Sequence, residues 1–136
     1  MIQNIISTLN DMARESDITI IQVHASASDP DVAIVEDKVI FMNNAFHTSF
    51  SYAFRLAHEL AHLLNVDTSG QGAYAFSPYS RKIEERRAHE YAALTLAGLF
   101  FADTPIEYRN YFDFMDILGL PASFEDIARD AVMNAI

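Results

Sequence analysis

Two histidines four residues apart, with a glutamate after the first, stand in the segment His58-Glu59-Leu60-Ala61-His62. On a helix an i, i+4 pair shares one face, so the two imidazoles can grip one metal ion. Glu59 lies beside them, close enough to act on a water held there. A cation such as Zn2+ lowers the pKa of that water toward neutrality, and a carboxylate then takes its proton as it attacks a peptide carbonyl. The spacing therefore offers metal-assisted hydrolysis, with Glu59 as the catalytic base.

The residues around the motif sharpen this reading. Between Ser49 and Asn65 the polar positions are Ser51, Arg55, His58, Glu59, His62 and Asn65, a single stripe at helical spacing. Phe50, Tyr52, Phe54, Leu56, Leu60, Leu63 and Leu64 make the rest of the surface apolar. A helix that is apolar on most sides is buried, so its one polar stripe reads as the floor of a cleft. A surface helix with two solvated histidines would have a broader polar face.

Two ligands are too few, because a catalytic zinc usually has three protein ligands and one open position. The metzincin extension needs a glycine three residues after the second histidine and a histidine three further on. Asn65 and Thr68 occupy those places, which excludes that class. The chain has no cysteine, so thiolate sites and disulfides are excluded too. The best source of a third ligand is the charged start of the next helical segment, Arg81-Lys82-Ile83-Glu84-Glu85-Arg86-Arg87-Ala88-His89-Glu90. Glu84 and Glu85 both extend by one turn the buried face expected through Ala88, Ala92, Thr95 or Leu96, and Leu99. His89 follows Glu85 by four. From the residues alone Glu84, Glu85 and His89 all stay open, and the glutamates would equally suit a solvated face paired with Arg86 and Arg87.

These groups need a scaffold. Apolar residues at helical spacing predict a helix over 2–15. Ile18, Ile20, Ile21 and Val23 predict a strand. Val32–Val35 and Val39–Met42, joined by Glu36-Asp37-Lys38, predict two strands and a tight turn. Asn43 to Ser49 reads as a loop, 49–65 as the long motif helix, and 66–80, with Gly70, Gly72 and Pro78, as another loop. Further helices are expected from about Arg81 to Ala97, from Pro105 to Leu118 before Gly119 and Pro121, and after Ser123 as N-cap. The order is α-β-β-β-α-α-α-α. It predicts an α+β fold over a single domain, 1–136, with a short antiparallel or mixed sheet packed on the central HExxH helix. His24 and His47 read as ordinary polar residues. Tyr74 and Tyr79, in the second loop, are candidates for stabilising a tetrahedral intermediate, although such aromatics more often pack locally.

The formal net charge of the 136 residues is −10. This argues against direct binding of nucleic acid, which needs Lys and Arg to displace counterions, and would suit a basic protein partner. The first ten residues have neither a basic leader nor a continuous apolar core, so no signal peptide is expected. No apolar run is long enough to span a bilayer. A cytoplasmic setting is expected.

With both blocks in view, the sequence resembles the ImmA/IrrE family of zinc-dependent HExxH peptidases. Phe54-Arg-Leu-Ala-His58-Glu59-Leu-Ala-His62 is similar to the family's F-T-L-A-H-E-L-G-H, and Glu85-Arg-Arg-Ala88-His89-Glu90-Tyr91-Ala92-Ala93 to its E-x-x-A-N-x-F-A-A. The upstream helix, strand and hairpin fit the family layout, and the resemblance covers about residues 1–97. It implies a zincin-like fold with zinc held by His58, His62 and Glu85. Ala61 departs from the family's Gly, and His89 from an Asn or Asp that supports a metal-binding histidine. The Leu-Met-Pro that often follows is absent, so the second helix is expected to run on. The resemblance further implies a regulatory protease, or antirepressor, acting on a helix-turn-helix repressor of a prophage, mobile element or stress operon. The alternative is an antirepressor that binds its partner through the zincin fold without cutting. Glu59 favours the enzyme, since a pure binder needs no general base.

Overall fold

A computed structural model describes residues 1–65 and 78–136. Helix α1 (Ile2–Glu15) buries Ile5, Leu9 and Ala13 along one stripe. Strands β1 (Thr19–Val23), β2 (Val32–Ile34) and β3 (Val39–Asn43) form a sheet in the order β1-β3-β2. β1 runs parallel to β3, with Ile20 opposite Ile40, and β2 runs antiparallel, with Ala33 opposite Ile40. The expected hairpin therefore exists and the sheet is mixed. Central β3 buries Ile40 and Met42 toward the helices.

Helix α2 (Tyr52–Leu64) carries the HExxH segment. It packs on α1, β2, β3 and the next two helices, which makes it the central element. Its start is Tyr52 rather than Ser49, because the Ser51 hydroxyl accepts from the Phe54 amide and caps the first turn. Helix α3 (Pro78–Phe100) begins three residues before Arg81 and continues past Ala97. Nothing in Leu94 to Phe100 breaks it, as the missing proline led one to expect. Its buried residues are Ala88, Ala92, Ala93, Leu96 and Ala97, so Leu96 and not Thr95 faces the core.

Three further boundaries differ from the sequence reading. Asn43 ends β3 instead of opening a loop, and its buried side chain bonds the chain beside it. The single helix expected from Pro105 to Leu118 is a 3-10 turn, Ile106–Tyr108, and then α4 (Tyr111–Leu118). The break is made by Asn110, whose Oδ1 accepts from the amides of Phe112 and Asp113. Arg109 is extended there and donates to the carbonyls of Thr104, Val132 and Ala135. The last helix, α5 (Glu125–Asn134), follows a 3-10 turn at Ala122–Phe124. Ser123 lies inside that turn and does not cap α5.

The end of α4 fixes the start of α2. Gly119 has φ +68, the left-handed conformation that suits glycine. A Cβ built there would stand 1.8 Å from the Ser49 carbonyl oxygen. Beside it, the Ser51 amide donates to the Leu118 carbonyl at 2.9 Å. The buried apolar residues of α1, the sheet, α2, α3, α4 and α5 form one cluster. Among the described residues no helix is long and apolar enough to cross a membrane.

Candidate metal centre

His58 and His62 project from the same face of α2, each about one-fifth exposed, with their Nε2 atoms 3.2 Å apart. Glu85, in the early turns of α3, reaches across to both. One carboxylate oxygen lies 3.1 Å from His58 Nε2 and the other 2.8 Å from His62 Nε2. Glu84, the other candidate, is exposed and, among the described residues, joins none of these contacts. His24 and His47 are exposed on the segments flanking the sheet. Tyr74 and the side chain of Tyr79 lie outside the described residues, as does most of the 66–80 segment.

The donor set suits a divalent cation. Ligand atoms around a tetrahedral ion at about 2.0–2.2 Å stand roughly 3.3–3.6 Å from one another. The observed separations of 2.8 to 3.2 Å are slightly shorter than that, so a small outward movement of the side chains would admit the ion. Two imidazole nitrogens and a carboxylate are ligands that a borderline cation such as zinc accepts.

Glu59 sits between the histidines in sequence but on the core side of α2, and is only 7% exposed. Burial pushes its carboxyl up from 4.5 to about 7; His58 and His62 pull the other way, and Asp31 and Glu85 add smaller upward pushes. Among the described residues no hydrogen bond holds this carboxylate. A carboxyl that titrates near neutrality is poised to accept a proton and give it back. Hydrogen bonds from His58 and His62 hold Glu85 well below the usual carboxylate range. Its hydrogen bond raises His62 in turn, against burial.

His89 lies one turn beyond Glu85, with Nε2 4.0 Å from that carboxylate. Its ring packs 4.5 Å from the His58 ring, 4.9 Å from Phe124 and 6.2 Å from Phe54, centroid to centroid. It meets His58 ring to ring, with no hydrogen bond between them. Burial, then the neighbouring His58, lowers it to about 4, so it stays neutral at physiological pH.

Sequence reasoning missed the group that holds α2 against the sheet. Arg55, one turn before Glu59, makes a two-pronged ion pair with Asp31, at 2.7 Å for each bond. It also donates to the Asn43 carbonyl at 2.8 Å. The Asn43 amide donates to the same aspartate, and the Asn43 side chain bonds the backbone of Ala25, Ser26, Asp29 and Ala45. The partners are 12% and 5% exposed, so this is a buried charge pair with its lone pairs satisfied. Asn43 at the end of an apolar strand was the one available signal.

Residues 13–100 match a peptidase family model described as the IrrE N-terminal-like domain. The match spans both HExxH and Glu85 and ends with α3. No curated protein and no solved structure matched the chain.

Proposed function

The chain belongs to the IrrE N-terminal-like peptidase family, and we propose that it is a zinc-dependent, site-specific peptidase whose metal is held by His58, His62 and Glu85. The observation that carries this is the convergence of three donor groups from α2 and α3 beside a buried glutamate titrating near neutrality. When bound, the cation supplies Lewis-acid polarisation of the scissile carbonyl and of the attacking water. Glu59 accepts a proton from that water as its oxygen adds to the carbonyl carbon, and delivers it to the departing amine as the C–N bond breaks. Glu85 spans both imidazoles and fixes their rotamers. His89 packs on the His58 ring and keeps it from turning away.

We take the substrate to be a DNA-binding repressor met in the cytoplasm. A basic protein is favoured by the charge of −10, which attracts it at long range and less so as salt rises. Cutting falls in a linker or an unfolded stretch, since a folded helix-turn-helix cannot thread past the metal. The test is incubation with any helix-turn-helix repressor found encoded beside this chain, with and without chelator and at low and high salt, with products mapped by mass spectrometry. Chelator-sensitive cleavage at one linker is expected. Relief of repression by a Glu59→Gln protein that cuts nothing would establish instead an antirepressor that acts by binding.

A further inference from the structure

We propose that an open cavity beside the donor cluster is a substrate subsite that selects a carboxylate side chain, glutamate or aspartate, near the bond to be cut; this rests on the peptidase reading. The cavity has a volume of about 390 Å³, within the roughly 300–1,000 Å³ typical of ligand sites. Glu85 and His89 form part of its wall, so it adjoins the candidate metal centre. Arg81, Lys82 and Arg86 supply positive charge from α3, and Phe124 and Ile127 supply an apolar side.

The charge is out of keeping with the rest of the molecule. The chain has 9 Lys and Arg against 19 Asp and Glu. Yet Arg81, Lys82, Arg86 and Arg87 all fall within residues 81–87, and three of these four line the cavity. The one acid in the lining is Glu85, whose two oxygens are already engaged by His58 and His62. Arg86 uses its Nε on Glu90 at 2.9 Å and keeps its other guanidinium N–H groups as donors. Lys82 has no ion-pair partner among the described residues. Lys82 and the remaining N–H groups of Arg86 are therefore the donors at hand for a ligand.

The ligand class follows from this lining. Cations call for an anion, and Phe124 and Ile127 suit the methylene stem that joins a glutamate carboxylate to its backbone. The acidic surface elsewhere does not cancel the effect, because charges beyond about 8 Å are largely screened at physiological salt. At the cleft the adjacent cations therefore set the preference, whatever first brings the substrate to the acidic surface.

The test uses zinc-loaded Glu59→Gln protein and short fluorescent alanine peptides with Glu, Gln or Lys at one central position. Fluorescence anisotropy should rank them Glu, Gln, Lys, with about a two- to fivefold gain for each cation contacted. The ranking should survive chelation, because the cations hold the carboxylate and the metal does not. Lys82→Gln/Arg86→Gln should erase the preference, and Lys82→Glu/Arg86→Glu should reverse it. Equal affinities, a ranking lost with the metal, or one unchanged in the charge-reversed protein would each overturn the subsite. Metal-loaded wild-type protein, given the same peptides, reports separately on the reaction. A glutamate preference in binding with no cleavage of any peptide would leave the subsite standing and sink the peptidase reading.

Discussion

Replacing Glu59 by glutamine should abolish cleavage and yet make the metal-free protein more stable. The wild-type carboxyl is 7% exposed and shifted from 4.5 to about 7, chiefly by burial. Each pKa unit corresponds to about 1.4 kcal/mol between the two protonation states. The displacement therefore amounts to about 3 kcal/mol at most, with the opposing pull of His58 and His62 already included. Glu59 holds its proton more tightly in the folded chain than in the unfolded one. Its neutral form is favoured below 4.5, and stability is lost as pH rises through about 7. The amide keeps the shape and never ionises, so the variant escapes that loss. Urea denaturation in the presence of chelator should find Glu59→Gln more stable by about 1–3 kcal/mol near pH 8, with the gap closing toward about pH 4.5. A gap that is absent, or that does not change with pH, would show that Glu59 is not desolvated in the folded chain. The general-base argument would then lose its physical basis.

Other perturbations test the frame around this residue. His58→Ala should lose both bound metal and cleavage; stoichiometric zinc in that variant, measured by elemental analysis, would refute the ligand assignment. Asp31→Ala leaves Arg55 buried without its partner and should cost about 3–5 kcal/mol in urea denaturation; a loss near zero would mean that the pair is hydrated. Gly119→Ala forces a Cβ against the Ser49 carbonyl from a left-handed backbone, and should cost at least about 2 kcal/mol; a wild-type melting temperature would show that the α4–α2 junction is loose.

The sequence carried the local features of this molecule well. His58, Glu59 and His62 are four residues apart or fewer, and helical geometry alone puts the two histidines on one face. The amphipathic stripe of α1 and the apolar run of β3 were equally legible, because each depends on residue type and spacing within one element. Glu85 was different. Residue pattern left it level with Glu84 and His89, and the family resemblance separated them. The Asp31–Arg55 pair had no signal beyond Asn43 at the end of a strand, since it spans 24 residues from a loop to a helix and has no periodicity. The break at Asn110 was missed because the apolar residues on either side kept helical spacing while the side chain of Asn110 competed for the backbone amides. Of the cations in 81–87, Arg86 and Arg87 were read only as possible partners for neighbouring glutamates, and Arg81 and Lys82 were given no role. Only the cavity shows where they stand.

The site asks α2 and α3 to lie close together, and the residue sizes answer that need. Glu85 reaches two imidazoles on another helix at 2.8 and 3.1 Å, so the backbones cannot be held apart by bulky side chains. Ala57 and Ala61 flank His58 on α2, Ala88 and Ala92 follow Glu85 on α3, and all four are buried. Ala61 stands where the family pattern has glycine, and its methyl group is taken into the interior. Small side chains on both helices permit the close approach that the donors require. A cation bound by His58, His62 and Glu85 would tie together two helices whose intervening chain it closes into a loop. Metal affinity and folding stability should then be the same free energy seen from two sides. The Ser51–Leu118 contact and the Arg55–Asp31 pair act on the remaining freedom of α2, its slide and its roll against the sheet. With spacing, slide and roll each fixed by different residues, Glu59 can be buried at a cost to stability without the donor geometry relaxing around it.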